Sequence, residues 1–154
     1  MLAALTGILT NDQLLSLHSD GNAIIVPFDE SHLKPTSYDV AVSQILTDNL
    51  IHDFEFVSLK PLEFLCFVTK EQIECPLDIV GHISLRSTFA REGLLGDRGR
   101  IEAGFRGRLV IEVFNASQAT ITIHRGDRIA TLQFTKLPKA VTVGYSGQYQ
   151  SFGI

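Results

Sequence analysis

The sequence lacks the grouped cysteines and histidines that hold metal ions. Cys66 and Cys75 are the only cysteines in the 154 residues, and their spacing of nine positions is not that of a CxxC zinc or redox motif. The five histidines are scattered singly, without a pair at ligand spacing. Neither a GxxxxGK(S/T) nor a GxGxxG phosphate loop occurs. We therefore expect two buried free thiols and no metal ion held by the protein itself.

The chain is also short of positive charge and of long apolar runs. Its 13 basic and 17 acidic residues give a net charge of −4, whereas proteins that coat nucleic acids are usually basic. No apolar run approaches the ~20 residues that a membrane span requires. The apolar start of the sequence, residues 1–5, lacks the basic segment of a signal peptide. We expect a soluble, cytoplasmic protein that binds neither nucleic acid nor a membrane, although a small anionic ligand could still bind local arginines.

The composition is typical of one globular domain with a mainly β fold. With 45% apolar and 19% charged residues, the chain can bury a core of its own, so we expect a single domain over residues 1–154. Residues 10–17 are predicted to form a helix, since Thr10 or Asn11 can cap its start and Gly21 its end. Short runs rich in Val, Ile, Phe and Thr follow, separated by turn residues, which indicates a β-sandwich or barrel. The predicted strands are 23–27, 38–46, 55–59, 63–69, 79–85, 109–115, 120–124 and 128–134.

Two arginines and two hydroxyls follow one of these strands directly. Arg86, Ser87, Thr88 and Arg91 lie where the strand at 79–85 gives way to a helical turn or two over residues 87–92. The first turn of a helix has free backbone N–H groups that favour phosphate. An exposed, solvated turn would have the same residue types, but the combination favours a polyphosphate site.

Glu112 lies inside the apolar run LVIEVF, residues 109–114. A carboxylate there could simply face solvent from a half-buried strand. However, Val110 and Phe114 would share its face, and the opposite face would also be apolar. We therefore expect Glu112 in a dry interface or pocket, where loss of solvent suits a carboxyl to transferring protons near neutral pH.

Two further segments complete the candidate site. Glu102 lies in the turn-rich stretch GRIEAGFRG, residues 99–107. A carboxylate in a turn is usually just solvated, so Glu102 is a candidate only in combination with the other segments. The last ten residues, 145–154, are polar and contain glycine and aromatic residues. We expect them to form a mobile tail that orders over a ligand or a neighbouring subunit.

Together these segments resemble the dCTP deaminase branch of the dUTPase superfamily over nearly the whole chain. RSTFAREGL at 86–94 resembles the family's Arg-Ser-Ser-Leu-Ala-Arg-x-Gly-Leu motif. IEAGFRG at 101–107, with Glu112 beyond it, resembles the Ile-Asp-(Ala/Pro)-Gly-aromatic-x-Gly segment and the glutamate that follows. The other matching segments are ILTND at 8–12, IVPFD at 25–29, PTSYDV at 35–40, RGDRI at 125–129 and the tail at 145–150.

The resemblance implies a role for each candidate residue. Glu112 would activate the water that attacks C4 of cytosine and pass the proton to the leaving ammonia. Arg91 would orient and electrostatically support the site, and Ser87 would help to hold the water. The implied substrate-binding residues are Arg86, Ser87 and Thr88 at the phosphates, Arg100, Ile101 and Glu102, of which Glu102 faces the deoxyribose, and Tyr145, Gln148 and Tyr149 closing over the triphosphate.

The resemblance also implies a fold, an assembly and a reaction. The fold would be a dUTPase-type distorted β-barrel, jelly-roll-like, with short helices, and the assembly a homotrimer with active sites between subunits. The reaction would be hydrolysis of dCTP to dUTP and ammonia in pyrimidine deoxynucleotide metabolism. It would be independent of zinc, since the HxE and PCxxC motifs of zinc nucleobase deaminases are missing. Magnesium, Mg2+, would be bound only through the substrate triphosphate.

Two other functions stay open at this point. A dUTP diphosphatase, alone or combined with deamination, is favoured by GRIE at 99–102, with Glu102 polarising water towards the α-phosphate. Glu112 argues against a pure diphosphatase, which has no need of it. A non-catalytic nucleotide-binding relative is favoured by departures from the family pattern. They are Glu102 for the usual Asp, a segment 95–100 about two residues short, Gln148 where Lys is common, and Phe152 where Gln is common.

Overall fold

The chain folds mainly into β-strands, as its pattern of apolar runs and turn residues predicted. The computed structural model describes residues 6–96 and 98–154, so the expectation about a signal peptide at residues 1–5 lies outside the described residues. The strands are β1 (Gly7–Ile8), β2 (Ile25–Val26), β3 (Leu33–Lys34), β4 (Ser37–Thr47), β5 (Leu50–Asp53), β6 (Phe56–Leu59), β7 (Phe64–Glu74), β8 (Ile79–Leu85), β9 (Leu94–Gly96), β10 (Arg100–Ile101), β11 (Arg106–Asn115), β12 (Ile121–His124) and β13 (Arg128–Lys136). The helices are α1 (Asn11–Ser19) and α2 (Ser87–Arg91), and a 3₁₀ turn spans Glu30–His32. In this part of the chain, no helix is both long enough and apolar enough to cross a membrane.

Capping interactions are present at both ends of α1. Thr10 accepts the backbone N–H of Gln13 at 3.4 Å, and the Gln13 side chain accepts the backbone N–H of Thr10 at 2.9 Å. This reciprocal capping box satisfies two N–H groups that the first turn leaves without partners. At the other end Gly21 has φ +77° and donates its N–H to the carbonyl of His18 at 3.2 Å. Glycine suits this position because a Cβ makes the left-handed conformation costly.

One large antiparallel sheet curls around most of the core. Its strand order is β10-β8-β13-β4-β7-β11-β9, with β1 beside β13, β2 beside β7, and β3 and β5 beside β4. The strands β12 and β6 pair separately. The curled, half-barrel shape agrees with the expected distorted barrel.

The alternation of side chains along β11 decides which face of the sheet meets the core. Leu109, Ile111 and Val113 are buried, whereas the even-numbered residues 108–114 are half-buried on the opposite face. The inner face packs with the buried rings of other strands, among them Tyr38 and Phe134. The carboxylate at position 112 therefore projects from the outer face of the curled sheet.

Candidate functional site

A cleft of about 620 Å³ lies against the outer face of β4, β7 and β11. Leu46, Cys66 and Glu112 form one row across its floor, since Leu46 pairs with Cys66 and Cys66 pairs with Glu112. Arg108 and Val110 extend the floor along β11. The floor thus presents one carboxylate and one guanidinium within a mostly apolar surface.

Glu112 is half-buried in this floor, directly opposite the thiol of Cys66. Burial raises the pKa of Cys66, and the negative charge of Glu112 raises it further. The thiol is therefore neutral at pH 7 and does not compete with the carboxylate for protons. A carboxylate held in this way can accept a proton from a reacting water and return it.

Arg108 supplies a fixed cation to the same floor. Its Nε donates to the carbonyl of Thr69 at 2.6 Å, its Nη1 donates to Oε1 of Gln44 at 2.7 Å, and its Nη2 donates to Oγ of Ser43. Burial lowers the pKa of the guanidinium below its usual value, but an arginine so placed is still charged at neutral pH. Sequence reasoning did not single out Arg108, although the two-residue period of a strand places it on the same face as Glu112.

Arg100 and Glu102 form an ion pair that also borders the cleft. Nη2 of Arg100 lies 2.6 Å from Oε1 of Glu102, and the two side chains are 69% and 46% exposed. Such an exposed pair contributes little to stability, so both groups are free to rearrange around a ligand. Ile101 between them is only 2% exposed and belongs to the core. The predicted contact of Ile101 with a substrate can therefore be made only by its backbone and not by its side chain.

The C-terminal tail closes one side of the cleft. The N–H of Tyr145 donates to the carbonyl of Ala103 at 2.8 Å. The side chain of Gln150 accepts the N–H of Arg106 at 2.9 Å and donates to the carbonyl of Gly104 at 2.9 Å. The tail thus lies along the start of the chain's own β11. Its expected mobility, and its ordering over a ligand, stay predictions.

Glycine is needed where the tail crosses the turn before β11. Gly104 has φ +84°, and a Cβ there would lie 2.8 Å from the Cα of Gly144 and 3.0 Å from the backbone nitrogen of Tyr145. This close crossing brings the Tyr145 ring edge-on to the ring of Phe105, with centroids 5.7 Å apart. Tyr145 and Tyr149 both line the cleft. Gln148, the third predicted tail residue, is exposed and outside the cleft lining.

The predicted group around α2 does not line this cleft. Ser87, Thr88 and Arg91 are exposed on α2, whose first residue is Ser87. Arg86 is half-buried just before the helix, with Nε 3.0 Å from Oδ2 of Asp39. In the described part of one chain, the structure therefore brings together Arg100, Glu102, Glu112, Tyr145 and Tyr149, and it leaves Arg86, Ser87, Thr88 and Arg91 apart from them.

The cysteines are both free, but only one of them is buried as predicted. Cys75 is 5% exposed, and burial raises its pKa to about 12. Cys66 is half-buried because it faces the cleft from β7, so the prediction that it is a buried thiol was wrong. Over residues 6–96 and 98–154, no group of three or more His, Cys, Asp or Glu side chains is arranged to hold a metal ion.

Comparisons with known proteins point to one family. A family model described as dCTP deaminase-like matches residues 44–137. The chain is similar to the dCTP deaminase of Thermococcus kodakarensis, at 33% identity over 131 residues, which covers 82% of this chain and 84% of that protein. It is similar to the dCTP deaminase of Pyrobaculum islandicum, at 32% identity, which covers 93% of this chain and 91% of that protein. It also matches the "dCTP deaminase, dUMP-forming" of Aquifex aeolicus, at 27% identity, over 93% of this chain and 89% of that protein.

Solved structures share the fold. The 2'-deoxycytidine 5'-triphosphate deaminase from Agrobacterium tumefaciens superposes with a TM-score of 0.71 at 16% identity, over 85% of this chain and 49% of that chain. This chain therefore spans about half the length of that protein. A mutant dUTPase of Staphylococcus bacteriophage 80alpha superposes with a TM-score of 0.56 at 21% identity, over 78% of this chain and 90% of that chain. At these identities the likeness concerns the fold alone, and it confirms the expected dUTPase-type architecture.

Proposed function

Because the chain belongs to the dCTP deaminase-like family, we propose that it hydrolyses dCTP to dUTP and ammonia. The observation that carries this proposal is the position of Glu112. It is a half-buried carboxylate on the floor of a cleft of about 620 Å³, opposite a neutral thiol and on the same strand face as a fixed arginine. A cleft of this size is within the range that binds small molecules.

The proposed reaction uses Glu112 as a general base and then as a general acid. The carboxylate takes a proton from a water molecule while the water oxygen bonds to C4 of cytosine. The carboxyl then gives this proton to the exocyclic amine, and the bond between C4 and that amine breaks, which releases ammonia and restores the carboxylate. The proton left on the new hydroxyl moves to N3, which gives the carbonyl of uracil. A positioned base of this kind contributes roughly 10²- to 10⁴-fold to a rate. Arg91 would stabilise the charge that develops on the cytosine ring, and Ser87 would hold the water.

We further propose a homotrimer in which α2 of one subunit faces the cleft of another. This arrangement would bring Ser87 and Arg91 to Glu112, which the single chain does not do. Exposed apolar side chains in the cleft and next to it support this arrangement. Phe64 is 61% exposed and Leu95 is 58% exposed, and both pair with Phe114 in the row next to Glu112. Exposed apolar side chains grouped in this way are typical of subunit interfaces.

The remaining residues would bind the rest of the nucleotide. Arg100, the backbone of Ile101 and Glu102 would meet the nucleoside, with Glu102 at the deoxyribose. Phosphates would bind Arg86, Ser87 and Thr88, covered by Tyr145, Gln148 and Tyr149. Any Mg2+ would be held by the substrate's phosphates. Two free thiols support a cytoplasmic location.

A second candidate is a deaminase that also releases pyrophosphate, with dUMP as the final product. The specific observation is that Glu102 lines the same cleft as Glu112, so a second carboxylate is available to a water near the phosphates. The relative from Aquifex aeolicus carries the name of such an activity. A pure dUTP diphosphatase would leave Glu112 without a task.

One assay separates these functions. Purified protein is incubated with magnesium and either dCTP or dUTP, and ammonia and pyrophosphate are measured separately. Ammonia from dCTP without pyrophosphate supports the deaminase, and both products from dCTP support the dUMP-forming enzyme. Pyrophosphate from dUTP without any ammonia from dCTP would show a diphosphatase. Nucleotide binding without either product would show a non-catalytic relative.

A further inference from the structure

Asp39 is a buried carboxylate that the proposed reaction does not use. It lies on β4, opposite Thr131 of β13, and is 2% exposed. A carboxylate so deeply buried is costly unless a cation faces it. Its Oδ2 lies 3.0 Å from Nε of Arg86 and 4.0 Å from Nζ of Lys34. The short contact to Nε is an ion pair whose direction departs from hydrogen-bond geometry, because Oδ2 has no hydrogen-bond partner among the described residues.

Arg86 is held from three sides where the chain leaves β8 for α2. Its backbone N–H donates to the carbonyl of Ile129 at 2.9 Å, and its Nη1 donates to the carbonyl of Arg128 at 3.1 Å. Its Nε faces Asp39. Within the described residues Nη2 donates to no acceptor, and the side chain is 27% exposed. One edge of the guanidinium is therefore fixed against the sheet while the other edge is open.

We infer that Asp39 is a positioning residue that orients Arg86 for the phosphates of a nucleotide. The inference rests on the proposed function, in which Arg86 binds phosphate. A guanidinium offers its donors in a rigid fork, so fixing Nε and Nη1 also fixes the direction of the free donors at Nη2. A donor that is oriented before binding loses less freedom when the anion arrives. Without Asp39 the Arg86 side chain can turn away from the phosphates, and phosphate binding weakens. The part of the site that binds the cytosine does not change.

The test compares binding of dCTP with binding of dCMP by calorimetry, so it does not depend on turnover. In Asp39→Asn we expect the dissociation constant of dCTP to rise about tenfold, as for loss of one oriented charge-assisted contact. The dissociation constant of dCMP should rise less than threefold, since dCMP lacks two of the phosphates. With turnover, the Michaelis constant for dCTP should rise while kcat stays within about threefold of wild type.

A double-mutant cycle identifies the route of the effect. If Asp39 acts through Arg86, Asp39→Asn should have no further effect on dCTP binding in an Arg86→Gln background. Asp78→Asn is the matched control, because Asp78 forms a half-buried ion pair with Lys136 and neither residue lines the cleft. It should leave the dCTP to dCMP ratio unchanged even if it lowers the melting temperature.

The measured constants show whether Asp39 positions Arg86 or only stabilises the fold. Equal losses for dCTP and dCMP, an unchanged dCTP constant, or additivity with Arg86→Gln would overturn it and leave Asp39 a purely structural residue. If Asp39→Asn does not fold, Asp39→Glu replaces it, because it keeps the charge but displaces the carboxylate by one methylene. The same loss confined to dCTP is then expected. Wild type that binds dCTP but releases no ammonia would contradict the proposed function alone, and wild type that binds neither nucleotide would contradict both.

Discussion

At the scale of single residues, Glu112 and Cys66 face each other across β11 and β7, so each reports on the state of the other. The thiol lines the cleft and is neutral at pH 7, because burial and the neighbouring carboxylate both raise its pKa. Cys75 differs because it is buried, and its thiol donates to the carbonyl of Ile79 at 3.0 Å. Cys66 can therefore serve as a chemical probe of the cleft, and Cys75 as an unreactive internal control.

We predict that Glu112→Gln speeds the alkylation of Cys66 by iodoacetamide at pH 8 about twofold. Removing the negative charge takes away one of the two causes that raise the pKa of Cys66, so its pKa falls and more reactive thiolate is present. Burial, the larger cause, persists, which keeps the effect small. Mass spectrometry of the labelled peptides measures the rate. Cys75, with a pKa of about 12, should stay unlabelled.

The same experiment tests whether the nucleotide occupies the cleft. Saturating dCTP should slow the labelling of Cys66 in the wild-type protein, because Cys66 belongs to the floor. A Cys66→Ser variant gives the background. If the labelling rate of Cys66 changed neither with dCTP nor with the charge at position 112, the substrate would bind elsewhere.

Sequence reasoning identified Glu112 because a carboxylate among apolar strand residues is costly without a use. It missed Arg108 because the predicted strand began one residue later, at 109. The strand in fact begins at Arg106, where the N–H of Arg108 donates to the carbonyl of Phe152 at 2.9 Å. That partner lies 44 residues further along the chain, so no local pattern contains it.

At the scale of elements, the composition of the chain predicted the positions of the long strands. Where the observed bounds differ from the predicted ones, contacts distant in sequence are the cause. The strand predicted at 63–69 ended before the charged pair Lys70 and Glu71. β7 continues to Glu74 because Glu71 is buried and accepts the N–H of Ala41 from β4 at 3.0 Å. Burial raises the pKa of Glu71, with its hydrogen bonds opposing the shift.

The strand β5 was missed although its turn has a local signal. Asp48 and Asn49 join β4 to β5 with φ values of 52° and 62°, as a two-residue hairpin turn requires. Asp and Asn are the residues with side chains that tolerate this conformation best. β9 gave no such signal. It has three residues, Leu94–Gly96, and exists by pairing with β11.

The tail is the element on which catalysis should depend most without being needed for folding. Truncation after Gly144 removes Tyr145 and Tyr149 from the cleft wall and the Gln150 hydrogen bonds to the turn before β11. We predict at least a tenfold fall in kcat/KM for dCTP, with an unchanged circular dichroism spectrum, because a closing segment positions substrate and excludes water.

Gln150→Ala is the graded companion to the truncation. It deletes the two side-chain hydrogen bonds and keeps both tyrosines, so its activity should lie between those of wild type and the truncated protein. Full activity of the truncated protein at low substrate would mean that the tail does not cover the site.

At the scale of the whole molecule, one chain holds the cleft and the α2 arginines apart, and an assembly would join them. We predict a mass of three times the 17.0 kDa of one chain by light scattering at micromolar concentration. Phe64→Asp should reduce that mass to one chain, because it places a charge in an exposed apolar row that reaches into the cleft. Turnover of dCTP should be lost with the assembly.

Phe56→Asp is the matched control for this assembly. Phe56 is 60% exposed, like Phe64, but it lies on β6 in the separate two-stranded sheet. Its variant should keep the mass and activity of wild type. A wild-type protein with the mass of one chain that still turns over dCTP would contradict an intersubunit site.

The central claim is that Glu112 carries the proton in dCTP deamination, and ammonia release by Glu112→Gln tests it most directly. Glutamine keeps the shape and hydrogen-bonding capacity of the side chain but cannot cycle a proton. We predict that kcat for ammonia release falls at least ~10²-fold while the dissociation constant of dCTP stays within about threefold of wild type. Near-normal ammonia release from Glu112→Gln would remove this residue from the mechanism. An inactive Glu102→Gln variant, with pyrophosphate as the wild-type product, would also contradict this role of Glu112.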